Sequence, residues 1–504
     1  MVSFIPKDAV SAKIRGINMK KILAFVLALI MLLSIVACAD NGKGKKPSTT
    51  DGTEEETELT LPEVDYDGAV FRVSMMDSPL FNKEFFMEED SDDPLKSATW
   101  KRNQNVEDKY NVEITPVYAT PDDSGMWFQM NQILVSVLTD RNEFDLTAVY
   151  AVTCGSLITS QALYDWGQME HTNLDAPYWE QTINDKFSIN DHVYTIVGDT
   201  NVSALDYTYV MYYNRTEGNA KGITAEVLDA IDKGTWTIDF FHGLVKDVYD
   251  DVDDTNGRSA GDFYGFQAEA LTNVDNYNFA FDIDMIRQTG DENVLECVID
   301  TEKTTSAMDK IIKLYWETRG TYIAPDSQPG MPLSNFRAGN ALFATGTLGW
   351  CYGALREMED HYSVFPYPKY DENQETYYTG MMDNFTVLSI PISAPDPEMS
   401  SLVTEALNFY AMKIMTPVYY EESLCKKFAN DGEETVQMLD YLMDGRRCDL
   451  AVLVQRDVAF LPFTFRKVVA NKTNNFREFY DGIKDTVDTQ LKAVVDTYND
   501  SAKN

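Results

Sequence analysis

Five aromatic residues, Tyr207, Tyr209, Trp350, Tyr352 and Tyr378, fall near the ends of expected strands. Four polar ones, Asp77, Ser156, Asp383 and Asn384, fall at similar places. Such a set suits one kind of chemistry. A flat ring packs against the C–H face of a sugar, while carboxylates, amides and hydroxyls satisfy the hydroxyl groups around its edge. Each aromatic also has a plainer reading as core, and Trp179 and Trp236 are assigned to it. Trp350 is kept because it follows Gly346-Thr347-Leu348-Gly349, which is expected to be a loop outside the regular core. Asp383-Asn384 suits a turn as well as it suits ligand contact.

Bond-breaking chemistry finds little footing. There is no HExxH, no GxSxG and no phosphate-cradling glycine loop. The four histidines, His171, His192, His242 and His361, lack metal spacing. No catalytic residue, metal ligand or cofactor is therefore expected. The 81 acidic residues do leave a chance carboxylate pair of the kind that hydrolyses glycosides. A surface-tethered carbohydrate-active enzyme thus stays open as an alternative, and so does an adhesion lipoprotein without a transport role. The loop 254–262 resembles a calcium loop, but its fifth and sixth positions are Arg258 and Ser259 where oxygen and glycine are needed.

What positions these residues begins with an export signal. Lys20-Lys21, an apolar block over 22–33 and small residues before Cys38 describe a secretory leader. The block is too short to span a bilayer, which takes about 20 residues. Ile35-Val36-Ala37-Cys38 resembles a bacterial lipobox, so Cys38 is expected to carry lipid and to anchor the chain outside the cytoplasm on the cell membrane. Met19 is the expected true start. Residues 1–37 hold Lys7, Lys13, Arg15, Lys20 and Lys21 against Asp8, so their removal takes the net charge from −39 to −43. A surface that negative repels nucleic acid and anionic headgroups. Residues 38–64 are the lipidated cysteine and a polar leash, with too little apolar surface to fold. The other cysteines, Cys154, Cys297, Cys351, Cys425 and Cys448, are odd in number and lack CxxC spacing, which favours buried free thiols.

Order is expected from Asp65. Residues 69–75, 112–117 and 144–150 read as short apolar strands, separated by helices over 101–110 and 126–138. That alternation implies a parallel sheet with right-handed crossovers. Ligands of such sheets sit beyond the carboxyl ends of the strands, here Met76-Asp77-Ser78 and Thr153-Cys154-Gly155-Ser156. The tyrosine-rich run 206–214 reads as a strand crossing into a second lobe, after a hinge near 198–206. Thr237 is a plausible N-cap. Later come a strand over 340–343, a loop over 346–352, a helix over 355–359 and a strand over 385–391 that returns to the first lobe. From Phe476 onward, apolar residues at steps of three and four make an amphipathic packing helix.

Several segments in order resemble the family 1 type of extracellular solute-binding proteins, lipoproteins that serve ABC importers in Gram-positive gut bacteria. They are the lipobox, Arg102-Asn103 with Val106-Glu107-Asp108-Lys109-Tyr110, Ala176-Pro177-Tyr178-Trp179, and Gly234-Thr235-Trp236-Thr237. Further on are residues 336–343, the run 366–374 from Pro366-Tyr367-Pro368-Lys369, and Pro417-Val418-Tyr419-Tyr420-Glu421. The resemblance covers most of the chain beyond Asp65. It implies an α/β, two-lobe fold of periplasmic-binding-protein type (type II), each lobe a mainly parallel sheet flanked by helices, with strand crossovers at a hinge. Lobe 1 would span 65–205 plus 383–440, and lobe 2 would span 206–382 plus 441–504. The implied function is capture of a solute, by family weight an oligosaccharide, by a monomer that hands it to ABC permease subunits.

Overall fold

The computed structural model describes residues 61–119, 125–252, 257–289, 294–351, 353–420 and 433–501. Cys38, the leader and the leash as far as residue 60 lie outside the described residues, as do 254–256 of the calcium-like loop, Tyr352 and Cys425. In chain order the first strands are β1 (Ala69–Met76), β2 (Val112–Ala119), β3 (Leu146–Tyr150) and β4 (Tyr209–Asn214). Then come β5 (Tyr249–Asp250), β6 (Phe263–Glu269), β7 (Ile286–Thr289) and β8 (Val294–Cys297). The last are β9 (Thr321–Ala324), β10 (Ala341–Thr347), β11 (Tyr362–Phe365) and β12 (Thr386–Ser389). Helices that bear on the site are α1 (Pro79–Phe85), α2 (Pro94–Tyr110), α3 (Gly125–Leu138) and α4 (Ala151–Thr159). Further along are α5 (Val202–Asp206), α6 (Pro397–Val418) and α7 (Phe476–Ser501).

Two sheets organise the chain. The first has the order β12-β3-β1-β2. Its three early strands are parallel, joined by crossovers through α2 and α3, and β12 returns from far down the chain to pair antiparallel with β3. The second has the order β11-β4-β10-β6-β5, with β9 also on β6. It is more mixed than the sequence suggests. β10, β6 and β9 are parallel, but β4 runs against both β10 and β11. The reason is where β4 enters: Tyr209, its first residue, pairs with Thr347, the last residue of β10. A strand that starts where its neighbour finishes must run the other way.

Burial follows composition. Every residue of β4, β6 and β10 is buried, as expected of central strands covered on both faces. Trp236, Tyr213, Phe343 and Phe365 pack ring to ring over this sheet, and each contributes roughly 1.5–3 kcal/mol by leaving water. One apolar cluster joins Leu157 and Val387 of the first sheet's side to Phe266 and Phe343 of the second, so the two sheets share core.

Several short motifs turn out to be partners of one another. Thr237 caps its helix by accepting from Phe240 N at 3.3 Å. Its neighbour Trp236 donates its indole N–H to Pro366 O at 3.0 Å and accepts Lys369 N at 3.0 Å. Arg102 and Asn103 both donate to Phe85 O, at 3.1 and 2.8 Å, and so hold the last turn of α1. In α7, Phe476, Val487, Leu491, Val494 and Tyr498 are buried, a stripe turned inward.

Three local expectations need correction. Residues 355–357 form turns and 355–359 hold no helix, because the chain has to reverse before β11. The run from Asp206 is not all strand: Asp206 ends α5 and β4 begins at Tyr209. Gly346 and Thr347 belong to β10, and residues 348–350 form a single 3-10 turn, so the expected loop is mostly regular core.

Candidate ligand-binding site

Three stretches of chain run side by side where the sheets meet. Tyr209 N donates to Gly380 O at 3.0 Å, and Met382 N donates to Tyr207 O at 3.0 Å. Thr379 N donates to Gly445 O, and Arg447 N donates back to Thr379 O, both at 3.0 Å. Residues 207–209, 379–382 and 445–447 thus form three adjacent crossovers. Gly380 is required there, because a Cβ at that position would run into the ring of Phe279.

Helix α1 ties together, with one buried carboxylate, the elements that flank two of these crossovers, α5 before the first and β12 after the second. Glu84, fully buried, accepts the Thr386 hydroxyl at 2.8 Å and also accepts Ser203 N. Ser203 Oγ in turn accepts Thr386 N at 2.9 Å. Burial pushes the Glu84 carboxyl up to about 7, against the hydrogen bonds from Ser203 and Thr386 and the charge of Lys83. On the same helix Lys83 is paired with Asp206, which also accepts the Tyr419 hydroxyl at 3.0 Å.

Against these crossovers lies a small pocket with about 20 Å³ of space, room for about one water molecule. Its walls come from Tyr209 and Asp383 on the crossovers, from Asp275, Asn278 and Phe279 beyond the carboxyl end of β6, and from Gln455, Phe463 and Arg466 near the C-terminus. Arg466 is the pocket's cation. Its Nε donates to Asp275 Oδ2 at 2.7 Å, and its guanidinium lies over the Phe463 ring, 3.9 Å from the centroid. Burial pushes the Asp275 carboxyl up to about 7, with Arg466 pulling the other way. Burial opposes the charge on Arg466, but Asp275 more than offsets it and holds that group above its ordinary value.

The loop before Phe463 is strained. Ala459 and Phe460 have φ of 53° and 56°, the left-handed region that costs a non-glycine residue of order 1 kcal/mol. These two residues turn the chain just ahead of Pro462 and Phe463, both of which line the pocket.

Of the residues singled out from sequence, Tyr209 and Asp383 line this pocket. Tyr207 sits one crossover residue away, half-buried. Tyr378 carries Arg447 over its ring at 3.9 Å. Trp350 is stacked on Tyr212, with centroids 6.0 Å apart and planes at 2°, so one of its faces is taken. Asp77 is exposed beyond β1, Ser156 is half-buried on α4, and Asn384 is half-buried beside Asp383. None of these six is among the pocket's lining residues.

Sequence reasoning missed Asp275, Phe279, Gln455, Phe463 and Arg466. The rule about carboxyl ends of strands was applied to the first sheet alone. Applied to β6 as well, it leads directly to 270–279. In the calcium-like loop, the described part is held by protein groups: Asp262 accepts Ser259 N at 2.8 Å and the Tyr249 hydroxyl at 3.1 Å. Arg258 lies over Tyr264 at 5.3 Å and donates to Thr321 O.

Neither a comparison with protein-family models nor one with curated proteins finds a match. Solved structures do match. A cyclo/maltodextrin-binding protein complexed with maltotetraose aligns over 87% of this chain and 98% of its own, at 11% identity and a TM-score of 0.52. An ABC transporter solute-binding protein from Thermotoga lettingae, bound with α-D-tagatose, aligns over 85% and 100%, at 13% identity and 0.52. An ABC substrate-binding protein from Listeria monocytogenes, in complex with cycloalternan, aligns over 87% and 100%, at 11% identity and 0.50. Identities this low speak to architecture. With two α/β sheets joined by adjacent crossovers, the chain has the two-lobe, periplasmic-binding-protein-like fold.

Proposed function

We propose that this chain is the solute receptor of an ABC importer. It captures an oligosaccharide between its lobes and delivers it to the permease subunits from the outer face of the cell membrane. The observation that carries this reading is the fold itself: two α/β sheets share core beside adjacent crossovers, and the small pocket set against those crossovers is walled by the lobe holding β4 and β6 together with Asp383 of the other. The solved proteins of the same fold are described with bound sugars, which supports a sugar here too. Lipid on Cys38 would keep the receptor near the permease, and two or more acyl chains hold where one does not. The lobe division at 205–206, 382–383 and 440–441 belongs to this reading, and so does binding as a monomer without chemical change.

Closure requires that the ligand prefer the closed state, and its affinity difference limits the shift. The test is a thermal-shift screen of neutral oligosaccharides, followed by small-angle scattering on any that bind. A ligand at about 100 times its dissociation constant adds about 2.7 kcal/mol. The expected result is a higher melting temperature together with a smaller radius of gyration, and the sugar recovered unchanged. Binding without compaction sinks the clamp. Recovery of shortened sugars makes the chain an enzyme instead.

A further inference from the structure

Helix α3 lies with one side on the first sheet and turns the other to solvent. Its inner side is well held. Gln129, Met130 and Ile133 are buried, and Gln129 Nε2 donates to Ala148 O at 2.8 Å and to Ser74 Oγ at 3.3 Å. At about 100° per residue, Phe128, Val135 and Leu138 fall on the opposite side, with Asn131 and Gln132 among them. They are 46%, 43% and 82% exposed, and Leu138 is the most exposed large apolar side chain among the described residues. A surface helix ordinarily carries charge on its outer face. None of the residues 125–138 is charged, on a chain with 81 acidic side chains. An apolar stripe about 15 Å long thus stands in water on an otherwise acidic body.

The stripe ends where the chain enters the fold. Arg72 Nη1 donates to Asn142 O at 2.7 Å, which sets the segment just past Leu138 against the start of β1. Val70, two residues earlier on the same face of β1, is 43% exposed as well. The described chain begins at residue 61 and β1 at Ala69, so the leash joins the body at this end of the sheet. The 23 residue steps from Cys38 to Leu61 reach no more than about 80 Å even at full extension. Lipid on Cys38 therefore keeps the body near the bilayer and presents the end that bears Leu138. Tethering of this kind populates a contact too weak to form from free solution. Helices that lie in the membrane interface commonly use Lys and Arg to hold anionic headgroups. Helix α3 has neither, and acidic surface beside a bilayer is repelled by such headgroups. A neutral apolar stripe is the contact such a body can make.

Taking the proposed lipid anchor on Cys38 as its basis, we propose that the outer face of α3, formed by Phe128, Val135 and Leu138 with Val70 near its end, seats the tethered protein on the acyl–headgroup boundary of the membrane. The occupant of this face is lipid. The contact sets which end of the body meets the membrane, and it leaves the pocket at the crossovers clear, since none of these four residues lines it.

The experiment places the full lipidated chain on phosphatidylcholine vesicles. A nitroxide is attached to Leu138→Cys or, as a control just beyond β5, to Val252→Cys, where the native residue is 54% exposed. Labelled wild type supplies the background from native thiols. Oxygen concentrates among acyl chains, and a water-soluble nickel chelate is excluded from them. The expected result is more frequent oxygen collision at 138 than at 252, with chelate collision at least about fivefold rarer. In a Phe128→Asp, Val135→Asp background, chelate collision at 138 should return to within about twofold of the control while the chain still sediments with vesicles. Equal collision rates at the two positions in the otherwise native chain overturn the proposal. Shielding from oxygen and chelate alike, with spin–spin broadening that fades on dilution over the vesicles, gives the face to a second copy and also overturns it. If the doubly substituted chain does not fold, the comparison of 138 with 252 decides alone. Failure of wild type to sediment with vesicles removes the lipid anchor and this contact together, and sedimentation reads that outcome apart from the label.

Discussion

The hydroxyl of Thr386 donates to Oε2 of Glu84 at 2.8 Å, joining residues 302 positions apart. Glu84 thereby ties the strand that returns to the first sheet to the helix beside β1. Its pKa, raised from 4.5 to about 7 mainly by burial, sets a sign. The native state holds the proton more tightly than the unfolded chain, so this group's stabilisation is complete below about pH 4.5 and is lost as pH climbs through about 7. Asp199 and Glu405, also pushed up to about 7 by burial, act in the same window. Glu84→Gln removes one of these titrations while keeping an acceptor for Ser203 N and a polar partner for Thr386. The variant's melting temperature relative to wild type should therefore rise between about pH 5 and about pH 8, by at most about 3 kcal/mol in stability. A difference that stays flat across that range would remove Glu84 from the account.

Trp350 and Gly346 are one packing unit. A Cβ on Gly346 would collide with the six-membered ring of Trp350, which is itself stacked on Tyr212. Trp350→Ala should cost about 2 kcal/mol in stability, less than a fully buried tryptophan because the residue is half-exposed. Gly346→Ala should cost about 1–3 kcal/mol by forcing the ring aside. In the Trp350→Ala background that second cost should fall by at least about 1 kcal/mol, a coupling read from a double-mutant cycle in denaturant. Since Trp350 lies outside the pocket, the single variant should change sugar affinity less than about threefold. A larger loss would bring Trp350 back to the ligand.

Cys154, Cys351 and Cys448 are buried thiols, and Cys297 is half-buried. Burial pushes the Cys154 thiol up to about 11 and raises Cys448 as well. Only the thiolate reacts quickly with maleimide. At about pH 7.5, labelling of the three buried thiols should be roughly 100-fold slower in native protein than in denaturant, with Cys297 ahead of them. Peptide mapping of the labelled protein reads this site by site. Rapid native labelling of Cys154 would mean that the packing of α4 opens readily.

The proposed anchoring rests on the lipobox-like run Ile35-Val36-Ala37-Cys38. Cys38→Ala should release the processed chain into the medium or leave an uncleaved precursor, as judged by membrane fractionation and mass. A processed variant that still partitions into detergent like wild type would show that something other than lipid on Cys38 holds it.

Much of the first sheet was legible from order alone. Short apolar strands alternating with helices leave few topologies, and right-handed crossovers select among them, so β1, β2 and β3 follow from local pattern. The stripe from Phe476 to Tyr498 likewise states its own helix, because a 3.6-residue period needs no knowledge of a partner. Tyr209 and Asp383, which line the pocket, were named because one falls near an expected strand end and the other where the chain is expected to return to the first lobe.

What sequence could not carry is which side chains meet. Asp275 and Arg466 are 191 positions apart, and Gln455 and Asp383 are 72 apart. Nothing local distinguishes these residues from other acids, amides and cations on a chain with 123 charged side chains. Trp350 misled for the related reason that a glycine-rich run looks like a loop until a neighbouring ring is seen to need the empty space over Gly346. Periodicity reports whether a residue is turned inward. Only the packing of β4 against β10, and of the three crossovers against one another, decides what it finds there, because those contacts join distant segments whose pairing no short window of sequence contains.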